Sequence, residues 1–146
     1  GRIMVKPQIS TFMYALEANQ VNNGMVIRNP LNFIALQFIP SNFTFAIIFG
    51  LVGLSVDRSH KIELFFKSPD GKVIHRWGPV SVKIGGVPED VPPETVGFVS
   101  HFQLQNTPLE TEGVYTTEIH VNGEKLDVFP IRVFQRKRQG DSNESK

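Results

Sequence analysis

The chain has 146 residues, with 15 Lys+Arg against 14 Asp+Glu and no cysteine. The missing cysteines exclude disulfide scaffolds, thiolate zinc sites and cysteine nucleophiles. A net charge of +1 argues against a nucleic-acid binder that works by neutralising many phosphates. Size scaling takes about 24,000 Å² of unfolded-chain surface to roughly 7,500 Å² on folding, enough for a single core in one domain.

In chain order, Ile9 to Asn19 is apolar nearly throughout and runs into Val21-Asn22-Asn23-Gly24. With Met25-Val26-Ile27 beyond the turn, this predicts a hairpin. From Asn29 to Val56 no residue is charged. Pro40-Ser41-Asn42 divides that stretch into Phe33 to Ile39 and Phe43 to Leu54, each too short for a membrane-spanning helix of about 20 residues. Two strands separated by a turn, and no membrane partner, are the expectation. No basic region followed by an apolar stretch and a cleavage site marks an export signal, so a cytoplasmic location is expected.

Lys61 to Lys67 passes through Ser68-Pro69-Asp70-Gly71 into Lys72 to Trp77, an order in which Pro presets the first turn dihedral and Gly accepts a positive one. Gly78 to Ile84 alternates, and the Pro-rich segment Val87 to Glu94 reads as a loop. Val96 to Leu104 alternates as a strand. Gly113 to Val121 and Glu124 to Phe134 form a last hairpin closed by Asn122-Gly123. A two-residue loop there sets Ile119 opposite Leu126 and Thr117 opposite Val128, with Tyr115, Ile119, Val121, Leu126 and Val128 on one face. The apolar parity reverses after Val128, which predicts a bulge or change of partner at Pro130. Nine or ten short strands, no amphipathic helix and no internal repeat predict an all-β antiparallel sandwich or barrel. The domain is expected over 9–134, with an extension at 1–8 and a basic, polar tail at 135–146 that carries Arg136-Lys137-Arg138.

Glu112-Gly113-Val114-Tyr115-Thr116-Thr117 resembles the corner before the penultimate strand of immunoglobulin-like domains, with Thr117 where that family has a cysteine. The order of motifs also resembles a family of small, functionally uncharacterised bacterial immunoglobulin-like sandwich proteins. Its matching features are Ala15 to Gln20 followed by Asn23-Gly24, the Asp70-Gly71 turn, and Gly113-x-Tyr115, Asn122-Gly123 and Pro130 to Val133. The resemblance covers about residues 8 to 134. It implies an immunoglobulin-like β-sandwich and supplies no activity.

Little chemistry is spelled out by the remaining residues. His60, His75, His101 and His120 lack the spacing of a metal motif, and Glu118 with His120 supplies two ligands on a strand face. They read as surface histidines, with no metal and no cofactor. There is no Gly-x-Ser-x-Gly elbow. Glu89, Asp90 and Glu94, like Glu110 and Glu112, lie in loops with no apolar burial to raise a carboxylate pKa. No enzyme is expected. Gly50, Gly53, Gly85 and Gly86 open no helix and make no phosphate cradle.

The run Phe43 to Leu54 is apolar on both parities, whereas a strand buried on one face alternates. Phe43, Phe45, Ile47 and Phe49 share one parity and are the candidate interface, an exposed sheet face for a protein partner or a second copy. The expected function is a noncatalytic protein-interaction module. The alternative is a small-ligand or carbohydrate-binding sandwich with Trp77 and Tyr115 as aromatic walls.

Overall fold

A computed structural model describes residues 5–137. Among the described residues nine strands run in chain order as β1 Gln8–Val21, β2 Gly24–Leu31, β3 Phe33–Leu36, β4 Ser41–Val52, β5 His60–Lys67, β6 Val73–Val82, β7 Gly97–Leu109, β8 Gly113–Val121 and β9 Glu124–Gln135. A single turn of 3-10 helix, Pro93–Thr95, interrupts the Pro-rich loop. Among the described residues no helix is long and apolar enough to cross a membrane. Residues 1–4 of the expected extension, and Arg138 with the rest of the tail, lie outside the described residues. The tail boundary moves outward, because Gln135 still belongs to β9 and the Arg136 amide donates to the Leu36 carbonyl at 2.7 Å.

The strands form two sheets, β2-β1-β4-β7 and β3-β9-β8-β5-β6. Every described pairing is antiparallel except β3 with β9. This is the immunoglobulin arrangement, with β4 and β7 in one sheet and β5, β6, β8 and β9 in the other. The fold is therefore an immunoglobulin-like β-sandwich.

Both asparagine turns behave as their chemistry demands. Val21 pairs with Gly24 across Asn22-Asn23, and Val121 pairs with Glu124 across Asn122-Gly123. Asn122 and Gly123 have φ of 52° and 83°, the two positive dihedrals of a type I′ turn. The register of the last hairpin differs from expectation. A shift between Ile119 and His120 sets Ile119 opposite Asp127, Glu118 opposite Val128 and Thr117 opposite Phe129. The bulge thus precedes Pro130. Val128 turns outward, while Phe129, Ile131 and Val133 face the core.

The uncharged run predicts apolar surface on both faces of β4, and the structure divides those faces. Phe45, Ile47 and Phe49 are fully buried between the sheets, with Phe43 packed half-buried at the rim. They are core residues and present no docking surface, which corrects the expected interface. Their aromatic neighbours fix them: Phe45 meets Phe66 at 5.3 Å between ring centroids, and Phe66 stacks on Tyr115 at 5.7 Å. On the opposite parity, Ala46 and Ile48 join Ala15 and Ala18 in a second small cluster, with Met13, Met25 and Ile27 packed around it. Small side chains there let neighbours close over one another without a third layer.

Candidate functional site

One end of the sandwich holds a corner built by Tyr115. Its hydroxyl donates to the Thr111 carbonyl at 2.7 Å and accepts from the Thr111 amide at 3.4 Å. Gly113 just before it has φ of 142°, and a Cβ there would sit 2.7 Å from the Pro69 ring. Beside the corner lies a cavity of about 350 Å³ lined by Ser68, Asp70, Lys72, Glu110, Thr111 and Tyr115 among others. Asp70 is committed to its turn, accepting from the Ser68 hydroxyl and from the Lys72 amide at 3.1 Å. The Ser68 hydrogen bond, more than any other contact, lowers its carboxyl pKa.

Trp77 is not part of that cavity. It stacks on Phe102 with centroids 5.5 Å apart and meets Phe49 edge-on at 5.6 Å. The expected pair of aromatic walls is therefore not brought together. Tyr115 lines the cavity, though 1% exposed, and Trp77 on β6 closes the core against β4 and β7.

The histidines also separate. His60 is buried rather than superficial: Nε2 donates to the Ser55 carbonyl at 2.8 Å, and Nδ1 accepts from the Asn122 amide at 3.2 Å. His75 lies on β6, half-buried. His120 bonds Glu118 at 3.1 Å, and Lys67 Nζ stands 2.7 Å from the other Glu118 oxygen. The Lys67 contact is the main reason that the Glu118 carboxyl titrates below its ordinary value. Among the described residues no group of three or more His, Cys, Asp or Glu has a metal-holding arrangement. Glu89, Asp90 and Glu94 are exposed in their loop.

A site not anticipated in the sequence is the free edge of β7, the last strand of its sheet. An edge strand presents unpaired N–H and C=O groups, and proteins blunt such edges with charge, proline, bulges or shortness. Three edges here are blunted. β2 carries Arg28, Pro30 and Asn29 at φ 52°; β3 has four residues; β6 carries Arg76 and Pro79 and two register shifts. β7 has no such device from Gly97 to Leu104, and a register shift between Leu104 and Thr107, with Asn106 at φ 48°, and Pro108 mark its far end.

The outer surface beside this edge is also neutral. Val99, His101 and Gln103 on β7 pair with Gly50, Ile48 and Ala46 on β4, which pair with Thr11, Met13 and Ala15 on β1. None of these carries a formal charge. The first charges appear farther along, as the Glu17–Arg28 pair at 3.2 Å. Val99 is 57% exposed, the highest exposure among the large apolar residues of the four-stranded sheet. The alternation of Val96 to Leu104 locates the strand in the sequence, but edge position is a property of topology. The available signal was the lack of any charged residue from Gly97 to Leu109.

The profile of a family of unknown function, DUF6941, matches residues 10–134. No curated protein matches the chain. Among solved structures, the alkylpurine DNA glycosylase AlkC of Pseudomonas fluorescens, bound to DNA containing an abasic site analog, aligns with a TM-score of 0.53 at 11% identity. The alignment covers 88% of this chain and 30% of the glycosylase, so the chain spans under a third of that protein. An immunoglobulin-like protein from Pseudomonas aeruginosa aligns with a TM-score of 0.46 at 13% identity, covering 90% of this chain and 98% of that one. The glycosylase likeness is one of fold.

Proposed function

The chain belongs to the DUF6941 family of unknown function, and from that premise we propose that it is a noncatalytic interaction module that docks an extended segment of a protein partner along β7. The observation that carries this reading is the contrast among the edges: three are blunted, and the fourth offers backbone from Gly97 to Gln105 without charge or proline. Strand addition draws affinity from main-chain hydrogen bonds and specificity from alternate side chains. Val99, His101 and Gln103 on the outer side of β7 give the partner's outward residues uncharged side chains to pack beside. The cysteine-free composition supports a cytoplasmic setting.

A second reading rests on the cavity beside Tyr115, whose lining sets Ser68, Lys72, Glu110 and Thr111 beside Pro69, Val73, Ile74 and Pro108 and suits a small ligand with both polar and apolar faces, such as a sugar. DNA, which the glycosylase binds, is disfavoured for this chain by its near-zero net charge. One titration separates the three. Extended decapeptides selected from a displayed library are added to ¹⁵N-labelled protein, with a monosaccharide panel and a DNA duplex added in parallel at physiological salt. Peptide-induced shifts confined to Gly97–Asn106 support the edge. Shifts at Ser68–Lys72 and Thr111 with the sugars, or salt-sensitive shifts with DNA, replace it.

A further inference from the structure

Resting on the edge reading, we propose that the occupant of the β7 edge is a second copy of the chain, paired antiparallel about a two-fold axis to give a continuous eight-stranded sheet. A two-fold contact needs a surface that complements itself. Gly97 to Gln105 does so in a simple way: with no charged side chain, an antiparallel pair with its own copy sets no like charges opposite one another in any register. Each copy has the same unblunted edge, so one contact closes both. With 15 Lys+Arg against 14 Asp+Glu, two copies also meet with almost no net repulsion. The pairing sets Val99, His101 and Gln103 on the outer side of β7 in one copy beside the same residues of the other. The blunting of β2, β3 and β6 leaves β7 as the edge through which two copies join without growing into an open array.

Sedimentation velocity on the whole chain tests this with complementary variants. V99K/Q103K and V99E/Q103E place their charges on the exposed outer side of β7, where Val99 is 57% and Gln103 also exposed. Circular dichroism melts check that both remain folded. The wild type is expected to be dimeric at tens of micromolar. Each variant alone is expected to dimerise at least about tenfold more weakly, and an equimolar mixture of the two to recover the dimer. A wild type that stays monomeric while decapeptides still shift Gly97–Asn106 overturns the homodimer and leaves the edge reading intact. A dimer that both variants retain unchanged overturns the proposed surface. Variants that lose the dimer without recovery on mixing overturn the two-fold pairing.

Discussion

Replacing Tyr14 with Phe removes the polar bridge that ties the two sheets together through Thr117, which stands where immunoglobulin domains carry one cysteine of their inter-sheet disulfide. The Tyr14 hydroxyl, on β1, donates to the Phe129 carbonyl at 2.7 Å and accepts from the Thr117 hydroxyl at 2.7 Å. Thr117 is fully buried and Tyr14 is 5% exposed, so water cannot replace either partner. Burial raises the Tyr14 pKa, against the opposing pull of the Thr117 hydrogen bond, and the phenol stays protonated and able to donate through neutral and mildly alkaline pH. The substitution leaves the buried Thr117 hydroxyl and the part-buried Phe129 carbonyl short of a partner, at about 1–3 kcal/mol for a buried group. Some relief comes from the Phe ring itself, and the expected net loss is about 2–3 kcal/mol. For a chain of this length that lowers Tm by roughly 5–10 °C. Urea unfolding of wild type, Y14F, T117V and the double variant measures it. T117V removes one bond and is expected to cost about 1 kcal/mol, with a coupling of about 1 kcal/mol between the two sites. A loss below about 0.5 kcal/mol for Y14F, or additive single variants, refutes the bridge.

Phe45→Ala is expected to cost about 3–5 kcal/mol in urea unfolding, because the side chain is fully buried among Tyr14, Phe43 and Phe66; a stable variant altered only in association would return this residue to an interface. Gly97→Ala forces a Cβ inside contact distance of the Leu51 carbonyl and is expected to lower Tm by more than 5 °C by calorimetry, with no change contradicting the close approach of β7 to β4. Glu118→Gln tests the Lys67 contact through pH. Its carboxyl titrates lower in the folded protein than unfolded, so its stabilisation is present above about pH 4.3 and lost as pH falls through the lower folded pKa. Wild type is expected to exceed E118Q by up to about 1 kcal/mol at neutral pH. The gap should close in acid, and one that instead widens there reverses the assignment.

The turns were the most legible part of the fold. Asn122-Gly123, the Pro69-Asp70-Gly71 turn and the Gly113-x-Tyr115 corner are local signals, and each holds its expected backbone. Lys72 to Trp77 and Gly78 to Ile84 read as two strands but form one, because β6 carries Gly78-Pro79 through its middle as an edge strand with register shifts. The parity of Phe43 to Leu54 was legible, yet which parity faces inward depends on the partner sheet. The absence of strict alternation pointed to an exposed apolar face. The second face consists instead of Ala46 and Ile48, over which Met13, Met25 and Ile27 pack, and of Gly50, flanked by Thr11 and Val99. The candidate site was the least legible. An edge is defined by which strand has no further neighbour, and no residue of β7 encodes that by itself. The Tyr14 bridge to Thr117 likewise joins residues 103 positions apart.

Amide hydrogen exchange read residue by residue, at low and at high protein concentration, tests the open edge most directly. Alternate amides from Gly97 to Gln105 are expected to exchange fast in dilute solution and to gain protection as concentration rises, with β2, β3 and β6 unchanged. Protection along β7 that is already high and does not vary with concentration, or that grows on a different edge, contradicts it.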